Sequence, residues 1–139
     1  ISLIGMEGNV MKFTKAANMG LHVMVYFAQK DQIDSNLSIH DLADKFEVSP
    51  SYLSKILTQL AKANLISSVS GVKGGYRLKK NSVEISFLDV IHAIDGFPDE
   101  VSCLANNQHS CPISKVINEG EDKMWEYFDS MKLSQLSAL

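Results

Sequence analysis

The 139-residue chain has only two cysteines, one arginine, one tryptophan and three prolines. The cysteines, Cys103 and Cys111, do not stand two residues apart, so the spacing of a structural zinc site is missing. Apolar runs long enough to span a bilayer are missing as well. Ile1 to Val10 has neither the basic start nor the apolar stretch of a secretory signal, and reads as a leader or non-native remnant ahead of a start at Met11, with Met6 a second possible start. These features point to a cytoplasmic protein with no membrane partner. Enzyme signatures are scarce too: there is no Cys-x-x-Cys, no pair of carboxylates on a common face, and no phosphate loop ahead of a helix. Gly71-Val72-Lys73-Gly74-Gly75 resembles a phosphate cradle, but a strand with basic residues follows it instead of a helix.

What is present is a packed core and an uneven charge. Hydrophobic residues make up 45% of the chain, enough to bury a domain. The net charge of −3 hides two unlike halves. Met11 to Lys80 holds ten basic and five acidic residues, and Asn81 to Leu139 holds three and ten. A basic part joined to an acidic one suits a nucleic-acid-binding unit carrying a second element. We therefore divide the chain into residues 11–80 as a DNA-binding domain and residues 81–139 as a sensor loop with dimerisation helices.

Periodicity places the elements. Ala17, Leu21, Met24, Val25 and Ala28 share one face of a helix over Phe13 to Lys30. Ser38 with Asp41 fits a capping box and opens a second helix, with Ile39, Leu42, Ala43 and Phe46 on its apolar side. Ser49-Pro50 opens a third, with Leu53, Ile56, Leu57 and Leu60 as its stripe and Asn64 at its end. Leu65 to Ser70 and Tyr76 to Lys79 read as strands around the glycine-rich loop. Ser86 and Asp89 cap a fourth helix that ends at Gly96-Phe97-Pro98. Cys111-Pro112 opens a last long helix to about Met131, with Ile113, Val116, Ile117, Met124, Phe128 and Met131 at helical spacing. A twofold partner or the chain's own domain could cover that apolar face. The predicted fold is mainly α with a small β-hairpin wing: a winged helix-turn-helix domain followed by a long C-terminal dimerisation helix.

In such a fold the third helix enters the major groove. Its stripe turns Ser51, Tyr52, Ser54, Lys55, Thr58 and Gln59 outward, types suited to base or phosphate contact. No acid occurs from Val48 to Val83, a stretch with six basic residues, whereas a merely solvated face would mix signs. Lys73 at the wing tip, with Gly74 and Tyr76 beside it, and Lys12 and Lys15 ahead of the first helix complete the predicted DNA contacts. With Arg77 the only arginine, bidentate reading of guanine is scarce, and specificity leans on Ser, Tyr, Gln, Lys and DNA shape. A winged helix that binds protein is the rival from another class, and it would carry an apolar or acidic recognition face. The partner expected here is double-stranded DNA with a roughly palindromic operator.

Ser49-Pro50-Ser51-Tyr52-Leu53-Ser54-Lys55-Ile56-Leu57, Leu65-Ile66-Ser67-Ser68-Val69 and Gly71-Val72-Lys73-Gly74-Gly75-Tyr76-Arg77-Leu78 resemble the Rrf2 family of bacterial winged helix-turn-helix repressors, the family of IscR, NsrR and CymR. Glu84-Ile85-Ser86, Asp89 to Gly96 and Leu133-Ser134-Gln135-Leu136 continue the likeness. The resemblance implies a homodimer joined by the long last helix, and recognition through the helix at Pro50 and the wing. Many members have Arg just before the first wing glycine, where this chain has Ser70.

The resemblance also raises the question of a sensor, since several members hold an iron–sulfur cluster on three cysteines in the loop before the last helix. Here that loop offers Cys103, His109 and Cys111. A cluster wants four protein ligands, mostly thiolates. The preferred reading has no cofactor and makes Cys103 and Cys111 a thiol switch, because a helix start favours the Cys111 thiolate. A cluster completed from elsewhere and two inert cysteines are the alternatives.

Overall fold

The computed structural model describes residues 13–30, 36–97 and 111–136. Five helices run Lys15–Lys30 (α1), Ile39–Phe46 (α2), Pro50–Lys62 (α3), Phe87–Asp95 (α4) and Pro112–Ser130 (α5), with strands Ile66–Val69 (β1) and Gly75–Leu78 (β2) between α3 and α4. Short 3-10 turns occupy Ser82–Glu84 and Leu133–Gln135.

The helix starts follow from short oxygen side chains that accept otherwise unpaired N–H groups. Ser38 Oγ accepts from the Asp41 N–H and Ser49 Oγ from that of Tyr52, at 3.0 and 3.1 Å. At α4 the reciprocal box is complete: Ser86 Oγ accepts from the Asp89 N–H and Asp89 Oδ2 from the Ser86 N–H, both at 3.0 Å. α1 starts at Lys15, not Phe13, because Thr14 caps it, its Oγ1 accepting from the Ala17 N–H at 3.1 Å. Asn64 takes the left-handed conformation, φ 62°, just after α3 and turns the chain into β1.

α1 is the central helix. Beyond the expected Ala17, Leu21, Met24 and Val25 it also buries Val23 and Phe27. It does so because α3, α4, β2 and the C-terminal turn all pack against it. The stripes of α2 and α3 close the core from the other side: Leu42, Leu53, Leu57 and Leu60 are fully inaccessible. The C-terminal segment returns beneath α4, with the Leu133 N–H donating to the Ile85 carbonyl and the Phe87 N–H to the Met131 carbonyl, each at 2.9 Å. Leu133 is buried as a result.

α5 serves two surroundings. Its C-terminal half folds back, with Trp125 and Phe128 packed against the core and Phe128 meeting Phe13 and Phe87 ring to ring. Its N-terminal half does not, and leaves Ile113, Val116 and Ile117 exposed.

Candidate nucleic-acid interface

α2 and α3 are joined by three residues, with Glu47 left-handed at φ 55° to make the sharp turn of a helix-turn-helix. The apolar stripe of α3 then fixes its outward side: Ser51, Tyr52, Lys55, Thr58 and Gln59 are exposed and Ser54 is half-buried. The Thr58 hydroxyl donates back to the Ser54 carbonyl at 2.8 Å, which occupies it within the helix. Gln59 is not wholly turned to solvent, since its Nε2 donates to the Ile94 carbonyl of α4 at 3.4 Å.

The wing is an antiparallel hairpin in which Ile66 faces Leu78, Ser67 faces Arg77, Ser68 faces Tyr76 and Val69 faces Gly75. It does not float. The Leu37 N–H donates to the Tyr76 carbonyl and the Tyr76 N–H to the Leu37 carbonyl, so the segment before α2 adds an isolated antiparallel bridge to the wing. Asn36 Nδ2 donates to the Lys73 carbonyl at 2.9 Å and holds the tip. Sequence periodicity could not reveal this anchor, because it joins two loop residues about forty positions from the wing with no apolar pattern of their own.

Gly74 and Tyr76, expected among the DNA contacts, also have building tasks in the wing. A Cβ on Gly74 would lie 2.1 Å from the Val69 carbonyl oxygen, and one on Gly75, at φ 145°, would lie 2.5 Å from that of Leu37. Only glycine lets the two chains approach so closely. The Tyr76 ring packs against the core. Lys73 and Val72 at the tip stay exposed.

Lys15, in the first turn of α1, and Tyr52, in that of α3, line one open cleft of about 830 Å³ together with Met19, His22, Phe46 and Val48. The structure thus brings two predicted contacts from distant parts of the sequence to one side of the molecule. Lys12, Cys103 and His109 lie outside the described residues. Cys111 caps α5 without a side-chain hydrogen bond, is 9% exposed, and is disulfide-bonded.

Beside the C-terminal half of α5, His92 stacks on Phe97 with ring centroids 4.2 Å apart, and Trp125 lies 6.1 Å away. Burial holds the His92 imidazole below the ordinary histidine value, against the opposing pull of the Asp89 and Asp129 carboxylates. Among the described residues no helix is long and apolar enough to cross a membrane.

Comparison with known proteins agrees with this architecture. The Rrf2 family model, described as an iron-dependent transcriptional regulator, matches residues 13–138. The HTH-type transcriptional regulator NsrR of Bacillus licheniformis is 30% identical over 107 residues, covering 76% of this chain and 73% of the relative. The structure of CymR, the global cysteine regulator of B. subtilis, is 25% identical with a TM-score of 0.76 over 88% of this chain and 93% of that one. The oxidized form of Staphylococcus aureus CymR is 27% identical with a TM-score of 0.73 over 93% and 100% of the two chains. A helix-turn-helix, an anchored wing and this breadth of match make the chain a member of the Rrf2 family of DNA-binding transcriptional regulators.

Proposed function

We propose that the chain is a sequence-specific repressor that acts in the cytoplasm as a homodimer on a roughly palindromic operator, with Cys103 and Cys111 sensing redox state. The observation that carries the DNA reading is the acid-free stretch from α3 through the wing, with its exposed Lys55 and Lys73, the wing being held by the Leu37 and Asn36 anchors. Phosphate oxygens favour such a surface, and an acidic or apolar protein-binding face would not look like it. Bound there, the protein would block the operator.

The homodimer reading rests on α5. Ile113, Val116, Ile117 and Tyr127 are exposed at i, i+3, i+4 and i+14, which puts them on one stripe. A second copy related by a twofold axis would cover the stripe with its own and set two recognition helices on one face of the duplex.

The redox reading is supported by the disulfide bond of Cys111 and by the related protein whose structure is that of an oxidized form. A peroxide would oxidise the Cys111 thiolate to a sulfenic acid, releasing hydroxide. Attack by the Cys103 thiol would then form the disulfide and release water. The family description names iron. A cluster takes four protein ligands, and Cys103, His109 and Cys111 would supply three, leaving a fourth to come from elsewhere. No step here runs through iron.

The test is selection from a pool of random duplexes. Retained sequences should share two inverted half-sites one helical turn apart. A retained pool no different from the input would end the repressor reading.

A further inference from the structure

We propose that Asp95 positions the DNA interface, holding the start of α1, and with it Lys15, in register with the recognition helix. This deepens the DNA-binding reading above and rests on it.

Asp95 is the last residue of α4. A carboxylate there faces the negative end of its own helix, which disfavours it. Its oxygens are taken up instead by a residue 81 positions away. Asp95 Oδ2 accepts from the Thr14 N–H at 2.9 Å and Oδ1 from the Thr14 hydroxyl at 2.6 Å. The same Thr14 oxygen accepts from the Ala17 N–H, so carboxylate and hydroxyl together close the positive end of α1. The charge that is misplaced on α4 is well placed for α1.

The preceding residue, Ile94, accepts the hydrogen bond from Gln59 of the recognition helix. Two consecutive residues at the end of α4 therefore hold two of the elements that bear predicted DNA contacts, α1 and α3. Lys15 directly follows Thr14 and shares a cleft with Tyr52 of α3. If the Thr14–Asp95 pair is lost, the first turn of α1 is released, and the Lys15 ammonium loses its fixed distance from a phosphate while α3 stays packed by its own stripe. Asp95 would then act through Lys15, without touching DNA.

The experiment measures binding of a selected duplex by fluorescence anisotropy at several salt concentrations, for the wild type, Asp95→Ala, Thr14→Val, Thr14→Ser, Lys15→Ala and the Asp95→Ala/Lys15→Ala pair. Asp95→Ala and Thr14→Val should each weaken binding about tenfold and flatten the salt dependence by about one phosphate contact. Thr14→Ser keeps the hydroxyl and should match the wild type. The double variant should bind no worse than Lys15→Ala alone, because both changes remove one interaction. Thr14→Val leaves the main-chain bond to Asp95 in place, so it carries the test if Asp95→Ala does not fold. Weakened binding with an unmoved salt slope, or losses that add in full, would overturn the proposal and make Asp95 a purely structural residue. A wild type that binds no duplex would overturn the DNA reading itself and this proposal with it.

Discussion

Leu37 and Tyr76 exchange main-chain hydrogen bonds in both directions, at 2.9 and 2.8 Å, and so tie the wing to the segment that leads into α2. The contact depends on Gly75, whose missing side chain leaves room for the Leu37 carbonyl. Gly75→Ala combines a disfavoured φ with a direct clash. It should destabilise the fold by about 2 kcal/mol or more. Chemical unfolding of the two proteins checks this, and an unchanged midpoint would mean that the wing is not docked as described.

Placing a charge on the uncovered stripe of α5 should separate the protomers. Val116 is 69% exposed in the single chain, so Val116→Glu leaves the core untouched. Sedimentation should find a dimer for the wild type and a monomer for the variant. Operator affinity should fall at least about tenfold, since two half-sites would no longer be engaged together. A dimeric variant would assign the interface to another surface.

His92 makes stability depend on pH. Its folded value lies below the ordinary 6.5, so the unfolded chain binds the proton more readily. The stability it contributes is present above about pH 6.5 and is lost as pH falls through the folded value. Thermal melts between about pH 7 and 5 should show a decline that is smaller in His92→Gln. Parallel curves for the two proteins would place the imidazole in solvent.

Cys111→Ser should abolish any effect of peroxide on operator binding, because the disulfide can no longer form. The comparison is anisotropy before and after oxidant, with Cys103→Ser alongside. A full response in both variants would remove the thiol switch.

Much of this was legible in the sequence because it is local. Ser38, Ser49 and Ser86 announce helix starts by residue type, and the stripes of α2 and α3 announce their buried sides. The Gly74–Gly75 pair announces a wing, although the reason lies in carbonyls the sequence does not display. What stayed hidden joins distant loop or terminal residues. Asn36 reaches across to Lys73, Thr14 to Asp95 and Leu133 to Ile85, each pairing single residues with no repeating pattern. Gln59 was visible as an outward residue of α3, but its hydrogen bond to α4 depends on how two helices pack. The apolar spacing of α5 was visible too, but it contains two faces, one for the core and one exposed, and spacing alone cannot divide them.

The most direct test of the account compares the wild type with the Lys55→Ala/Lys73→Ala variant for affinity to the selected operator and to a scrambled duplex. Lys55 stands on the outward face of α3 and Lys73 at the anchored wing tip, so the pair samples both parts of the proposed interface. The account predicts a loss of about ten- to a hundredfold with a flatter salt dependence, the protein remaining folded. Unchanged affinity for the operator would contradict it, and would mean that this chain meets DNA with some other surface or not at all.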